Sequence, residues 1–314
     1  ALRRAIAARN AVTPQQVFCG NGAADVLYRL MLTLAPKKIL LPAPTFAEYE
    51  EAARLVGSEI VRFPLGSDLT VTQAYWDAVT PDIDLVVLCN PNNPTGSYVK
   101  ASEREAIVRL CHDHEVAIIA DEVFYDYDLE PFDGNARLAG ETGTLTFALD
   151  GFSKTLAAPH AKVGWIQVSG PAAEVDEAKR RLDVVADDYL PMSEIIAKQI
   201  PAMLGAAAAQ TARVRERVQT NLAALHTMLD DDEQGMVSVL RAEGGWNVLL
   251  RVPSVLDENE LVLSMIEKHG ISGQPGYFFD MTSNGYLAIS LLPEPDEFRH
   301  NVQTVLDTVN TMIG

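Results

Sequence analysis

CNPNNPTG, residues 89–96, follows the apolar run Leu85 to Leu88 without a break. Two prolines and three asparagines in eight residues cannot prolong a strand, because proline has no amide hydrogen for a ladder and asparagine favours turns. A buried strand that ends by displaying several carboxamides points to a polar site at a strand end.

On either side of this turn, strands and helices alternate. The sequence predicts a strand over 17–20, a helix over 23–34 stopped by Pro36, a strand over 38–41, and a helix over 47–56 stopped by Gly57. Strands follow over 59–63, 85–89, 116–120, 144–149 and 163–168, with a helix whose predicted capping box pairs Ser102 with Glu105. Short apolar runs separated by helices predict an α/β fold, a mainly parallel sheet of about seven strands covered on both faces. After Pro171 the texture changes to long Ala/Arg/Glu-rich helices up to Leu229, then strands over 237–240 and 246–250 and a closing helix over 296–312. The expected division is a large domain over 1–205 and a smaller C-terminal α+β domain over 206–314.

The 314 residues carry a net charge of −18. So acidic a surface repels nucleic acid and anionic membranes, and neither is expected as a partner. No apolar stretch reaches membrane-spanning length and no signal peptide opens the chain, so the expected compartment is cytoplasmic. Cys19, Cys89 and Cys111 have no metal-ligand spacing and read as reduced, structural thiols, with no metal site expected.

In a parallel sheet, ligands collect at the carboxyl ends of the strands. Four strand ends carry chemistry. CGNGAAD, residues 19–25, puts Gly20 and Gly22 before a helix whose free amides can hold a phosphate, though a lone G-x-G equally fits a tight turn. The asparagine turn is the second. In the third, Asp121 follows an apolar strand, where a carboxylate needs a cation or a backbone cap. The fourth is LDGFSKTL, residues 149–156, where apolar neighbours would lower the pKa of Lys154 and free it as a nucleophile.

These four features, in this order, resemble the pyridoxal-phosphate enzymes of the aspartate-aminotransferase fold (fold type I, class I/II), and among them histidinol-phosphate aminotransferase and threonine-phosphate decarboxylase. The resemblance covers nearly the whole chain from Leu2, through P-N-N-P-T-G, A-D-E-V and S-K-T. It implies pyridoxal 5′-phosphate as cofactor. Lys154 would join it as an imine and act as acid/base, Asp121 would face the pyridine nitrogen, and Asn93 the ring hydroxyl. Gly22, Ala23, Ala24, Ser153 and Lys162 would hold the phosphate, Phe46 would stack on the ring, and Tyr125 would supply a hydroxyl nearby. It also implies a homodimer acting on an amino donor and a keto-acid acceptor, and a family N-terminal segment that would lie upstream of Ala1. Transamination, decarboxylation or elimination on the same scaffold, and a non-catalytic cofactor-binding effector role, all remain open.

Four positions depart from the family pattern. Phe124 stands in the usual tyrosine slot, Lys162 in that of a phosphate-binding arginine, and Gly151 in that of a hydroxyl residue. Ala288, in YLAISLL, replaces the arginine that clamps the substrate carboxylate. Trp246 and Tyr277, each after a glycine-containing turn, are the candidates for lining the substrate pocket instead.

Overall fold

A computed structural model describes residues 2–10, 12–66, 68–71, 73–130, 134–189 and 192–314. The larger part of the chain runs α1 (Leu2–Asn10), β1 (Val17–Gly20), α2 (Ala23–Leu34), β2 (Lys38–Ala43), α3 (Glu48–Leu55), β3 (Glu59–Pro64), α4 (Gln73–Asp77) and β4 (Leu85–Cys89). It continues through α5 (Ala101–His114), β5 (Ala117–Asp121), β6 (Thr146–Gly151), α6 (Phe152–Thr155), β7 (Gly164–Ser169) and α7 (Ala172–Asp187). Then come α8 (Glu194–Asp230), β8 (Ser238–Val239), β9 (Asn247–Arg251), α9 (Glu258–His269), β10 (Gln274–Pro275), β11 (Tyr286–Ser290) and α10 (Pro295–Ile313).

The strands of the larger part form a seven-stranded sheet in the order β1-β7-β6-β5-β4-β2-β3. Every neighbouring pair is parallel except those involving β7, which is antiparallel to both β1 and β6. The central strands are buried on both faces, and all five residues of β4 are buried, as apolar runs rather than alternating patterns require. One face packs on α2, α3 and α7 through Leu27, Leu30, Tyr49, Ala53 and Leu182. The other packs on α4 and α5 through Tyr75, Ile107 and Cys111, and on α1 and α8 through Ile6, Ile200 and Ala207.

A smaller four-stranded antiparallel sheet, β10-β11-β9-β8, is covered by α9 and α10. The 37 residues of α8 span about 55 Å at the helical rise. Its first half joins the α1 core, while Val218, Leu222 and Leu225 join the core of the small sheet. The expected boundary at 205/206 therefore falls inside one continuous helix. Phe124, Tyr127 and Leu129, just after β5, also belong to the small-sheet core, so the ends of the central strands lie at the seam between the two.

The capping box of α5 differs from the one expected. Lys100, not Ser102, is the cap, and its amide donates to Glu103 at 2.8 Å. Both spacings place an acid three residues after the cap.

A parallel crossover ordinarily carries a helix across the sheet face. The β5–β6 connection, residues 122–145, contains none among the described residues. A cavity of about 910 Å³ lies there, lined by Glu122, Arg137, Asp150 and Gln167 among others. Glu122 accepts hydrogen bonds from the Leu138 amide at 2.7 Å and Asn90 Nδ2 at 3.3 Å. Burial nevertheless pushes its carboxyl from 4.5 up to about 7, against the pull of Arg137. Asp150 rises from 3.8 to about 6 for the same reason.

A carboxyl with a raised pKa holds more protons folded than unfolded, so stability declines as pH rises between the two values. For Glu122 the window is about 4.5 to about 7, and the loss across it is about 3 kcal/mol. Glu122→Gln is expected to flatten this decline, leaving the contribution of Asp150 below about pH 6. Denaturant unfolding from pH 4.5 to 8 measures it; an unchanged slope in the variant would show that Glu122 is ionised in the folded protein throughout.

Candidate active site

Pairing register alone assembles the site. Gly20 is opposite Gly164, Gly164 opposite Gly151, Asp121 opposite Leu149, and Cys89 opposite Asp121. Strands lie about 4.8 Å apart, so the ends of β1, β6, β5 and β4 form one row along a single edge of the sheet.

The glycines of this row let helix α2 start against the sheet. Gly22 precedes the helix at φ 107°, which a side chain rarely adopts. A Cβ on Gly164 would lie 2.3 Å from the Gly22 carbonyl carbon and 2.4 Å from the Ala23 nitrogen. The third glycine of a dinucleotide fingerprint is replaced by Asp25, whose carboxylate accepts from the Asn21 amide at 2.7 Å and pairs with Arg29 at 2.7 Å. The amides opening α2, at Ala23 and Ala24, lie at an exposed helix start suited to an anion. Lys162 reaches the same place, its Cδ 3.9 Å from where a Gly22 Cβ would stand. Ser153 is half-buried on α6, one residue before Lys154.

The asparagine turn divides its labour. Asn90 donates to the Ala136 carbonyl at 2.9 Å and accepts from the Val99 amide at 2.9 Å. Asn92 donates to the Pro44 carbonyl at 3.3 Å and accepts from the Thr95 hydroxyl at 3.1 Å. Two carboxamides thus tie the turn to its surroundings. Asn93, half-buried, makes no side-chain hydrogen bond among the described residues, which leaves its carboxamide available to a ligand.

Asp121 is 7% exposed and makes no salt bridge among the described residues. Its oxygens accept from the Tyr49 hydroxyl at 2.8 Å and the Val123 amide at 3.2 Å. Burial raises its pKa, against these hydrogen bonds and the charge of Lys154. Burial lowers that of Lys154, against the opposing influence of Asp121 and Cys89. For both groups desolvation outweighs attraction, so each is drawn toward its neutral form. Cys89, with its thiol pushed up to about 12, lies beside Tyr49, Asp121 and Lys154.

Phe124, not Tyr125, is the ring brought to Lys154, whose Nζ is 4.8 Å from its centroid. Tyr125 packs instead on Tyr98 at 5.4 Å and beneath Arg137 at 3.9 Å. Trp246 enters the site from the small sheet, its centroid 4.9 Å from Lys154 Nζ. Tyr277 lies farther out, half-exposed, donating to Asn259 at 2.5 Å. The turn that carries it meets the Phe46 loop, where the Thr45 amide donates to the Phe279 carbonyl at 3.2 Å. Phe46 is partly exposed and meets Tyr49 edge to face at 5.7 Å. Ala288 is buried with Leu249, Phe279 and Tyr286 in an apolar cluster.

Tyr49 is the site residue that motif reading passes over. Its signal is its place three residues after Phe46 in PTFAEY, on the same turn entering α3.

The family model for aminotransferase class I and II matches residues 1–304. Histidinol-phosphate aminotransferase of Rubrobacter xylanophilus is 33% identical over 219 residues, 68% of this chain and 59% of that protein. Threonine-phosphate decarboxylase of Salmonella typhimurium is 30% identical over 174 residues, 55% of this chain and 47% of that protein. The chain thus spans about half to three-fifths of the length of these relatives. An aminotransferase from Escherichia coli superposes with a TM-score of 0.86 over 98% of this chain and 80% of that one, at 22% identity, a likeness of fold.

Gly164→Ala is expected to destabilise the protein by about 1–3 kcal/mol or more, because the added methyl meets backbone that cannot turn aside. Gly205→Ala, in α8 with nothing within 4 Å, is expected to be neutral or to gain up to about 1 kcal/mol. Denaturant unfolding of both variants measures the contrast, and equal stabilities would show that α2 does not need the close approach.

Proposed function

This chain belongs to the class I and II aminotransferases, and from that premise we propose that it moves an amino group between an amino acid or amine and a keto acid, using pyridoxal 5′-phosphate. The observation that carries the reading is the meeting of Asp121, Lys154 and an uncommitted Asn93 at adjoining strand ends.

The residues fit that cofactor. The start of α2, held against the glycine row by close backbone packing, offers its free amides to an anion, and Ser153 and Lys162 would stand beside it as phosphate ligands. Asp121, buried and without a salt bridge among the described residues, would suit a protonated pyridine nitrogen. Asn93 suits the ring hydroxyl, and Phe46 suits a ring face. Bound there, the cofactor supplies an electron sink for a carbanion at the substrate Cα.

The protein's own work is to hold and to move protons. Asp121 would hold a proton on the pyridine nitrogen of a bound cofactor, and the Tyr49 hydroxyl and Val123 amide hold the carboxylate in orientation. Lys154 would anchor the cofactor, and its amine, once free, would take the proton from the substrate Cα and deliver it to C4′ of the cofactor. Burial serves this second task, since a neutral amine can accept a proton and an ammonium cannot. The hydrophobic walls at Phe124 and Trp246 keep water from competing.

The assembly we propose is a cytoplasmic homodimer. Its cysteines are all free, as in a reducing compartment. No helix among the described residues is long and apolar enough to cross a membrane. The partly exposed aromatics Phe46, Tyr277 and Phe278 offer a surface for a second copy. A decarboxylase is the second reading, favoured by the likeness to threonine-phosphate decarboxylase and by the missing carboxylate clamp at Ala288.

Incubation with pyridoxal phosphate, keto-acid acceptors and a panel of amino acids tests the reading: keto acid formed without carbon dioxide or ammonia supports it, and carbon dioxide release moves the assignment to the second. Asp121→Asn is expected to lower turnover by about 100-fold or more while still binding cofactor; near-normal turnover would make the carboxylate structural. Loss of the clamp removes a charge-assisted contact worth roughly 1.5–3 kcal/mol, so aspartate and alanine should be poorer substrates than aromatic or larger modified amines. Comparing these substrates in wild type and Ala288→Arg checks it. Strong wild-type activity on aspartate that the arginine does not improve would place the clamp elsewhere.

A further inference from the structure

The side chain of Lys154 ends against two aromatic rings. Its Nζ lies 4.8 Å from the centroid of Phe124 and 4.9 Å from that of Trp246. The rings meet each other edge to face, with centroids 5.5 Å apart, and both are buried. They arrive from different directions: Phe124 from the turn after β5, and Trp246 from the turn before β9. Tyr127 braces the arrangement, its ring 5.0 Å from Trp246 and its hydroxyl donating to the Lys154 carbonyl at 2.5 Å. Both ends of the lysine are therefore fastened by one aromatic group.

We propose that Phe124 and Trp246 form a two-ring clamp that positions the Lys154 amine and stabilises its charged form whenever it is not joined to the cofactor. An aromatic face is electron-rich and attracts a cation within about 6 Å, most strongly where water is excluded. Burial works the other way and drives the amine toward neutrality. The charged and titratable groups that face it are Asp121 on β5 and Cys89 on β4, and the rings add to the pull of Asp121. An amine that gives and takes a proton in one cycle needs both forms within reach, and two opposed influences keep them close. Phe124, which lacks the hydroxyl usual at its position, contributes a ring face here. One ring is carried by the chain leaving β5 and the other by the turn before β9, so the clamp is complete only while those two segments are packed together.

The inference rests on Lys154 being the reactive amine of the proposed function, and its test uses no turnover. The cofactor-free full chain is labelled with trace acetic anhydride across a pH series, and acetylation of Lys154 is read by peptide mass spectrometry. Trp246→Leu and Phe124→Leu are expected to label Lys154 about threefold to tenfold faster at a fixed pH where most of the amine is protonated, with the midpoint of the pH curve lowered. Trp246→Phe keeps a ring and should stay near wild type. Unchanged labelling, or a midpoint that rises because leucine only admits water, overturns the clamp. Fluorinated tryptophans decide the matter should the leucine variants fail to fold, because they keep the ring's shape while weakening its face. Of the three tryptophans, Trp246 is the one whose ring lies against Lys154 among the described residues. Labelling should rise with each added fluorine, and a flat series overturns the proposal. A protein that labels as expected but forms no keto acid loses the proposed function and keeps the clamp; an active aminotransferase with a flat series loses the clamp alone.

Discussion

Burying the carboxylate of Asp121 at the end of β5 is the constraint around which the rest of the site is arranged. A carboxylate taken out of water needs hydrogen bonds and opposing charge. Here these come from a phenol on α3, an amide two residues on, and a lysine after the neighbouring strand. Each is delivered by a different element, so the sheet register must be right before any of them can act. The same burial weakens the charge on Lys154 and leaves Asp121 short of a full cation, which a protonated ring nitrogen would supply. The row of glycines at 20, 164 and 151 is the companion requirement, since it brings the start of α2 close enough for an anion to sit one strand away.

Much of this was legible in the chain. The run Leu85 to Cys89 could only be a strand buried on both faces, and the prolines after it could only end it. Lys154 and Asp121 were readable because strand ends are where such a sheet keeps its chemistry. The partners that hold them were less so. Tyr49 reads as one more apolar position on an amphipathic helix, and its hydroxyl acquires meaning only when α3 is laid over β5. The contact of Phe124 and Trp246 with Lys154 joins residues 30 and 92 positions from it, which local pattern does not encode. Tyr125 was expected at the cofactor, but the turn after β5 points it at Arg137 and sends Phe124 inward. The capping of α5 at Lys100 was missed because an acid three residues after a cap fits more than one boundary.

Fold and reaction separate most clearly at Ala288. The strand that carries it is in register with β9 and seals an apolar cluster, so the architecture is complete without a cation there. The asparagine turn makes the opposite point. Two of its three carboxamides are committed to holding the loop, while the third, Asn93, makes no side-chain hydrogen bond among the described residues.

Reduction of the pyridoxal-phosphate-loaded protein with borohydride, followed by peptide mapping, tests the convergence of these strand ends most directly. The account predicts that the cofactor is fixed to Lys154, in the peptide that carries Phe152 and Ser153. Label on another lysine, or none in a sample shown to contain bound cofactor, would contradict it.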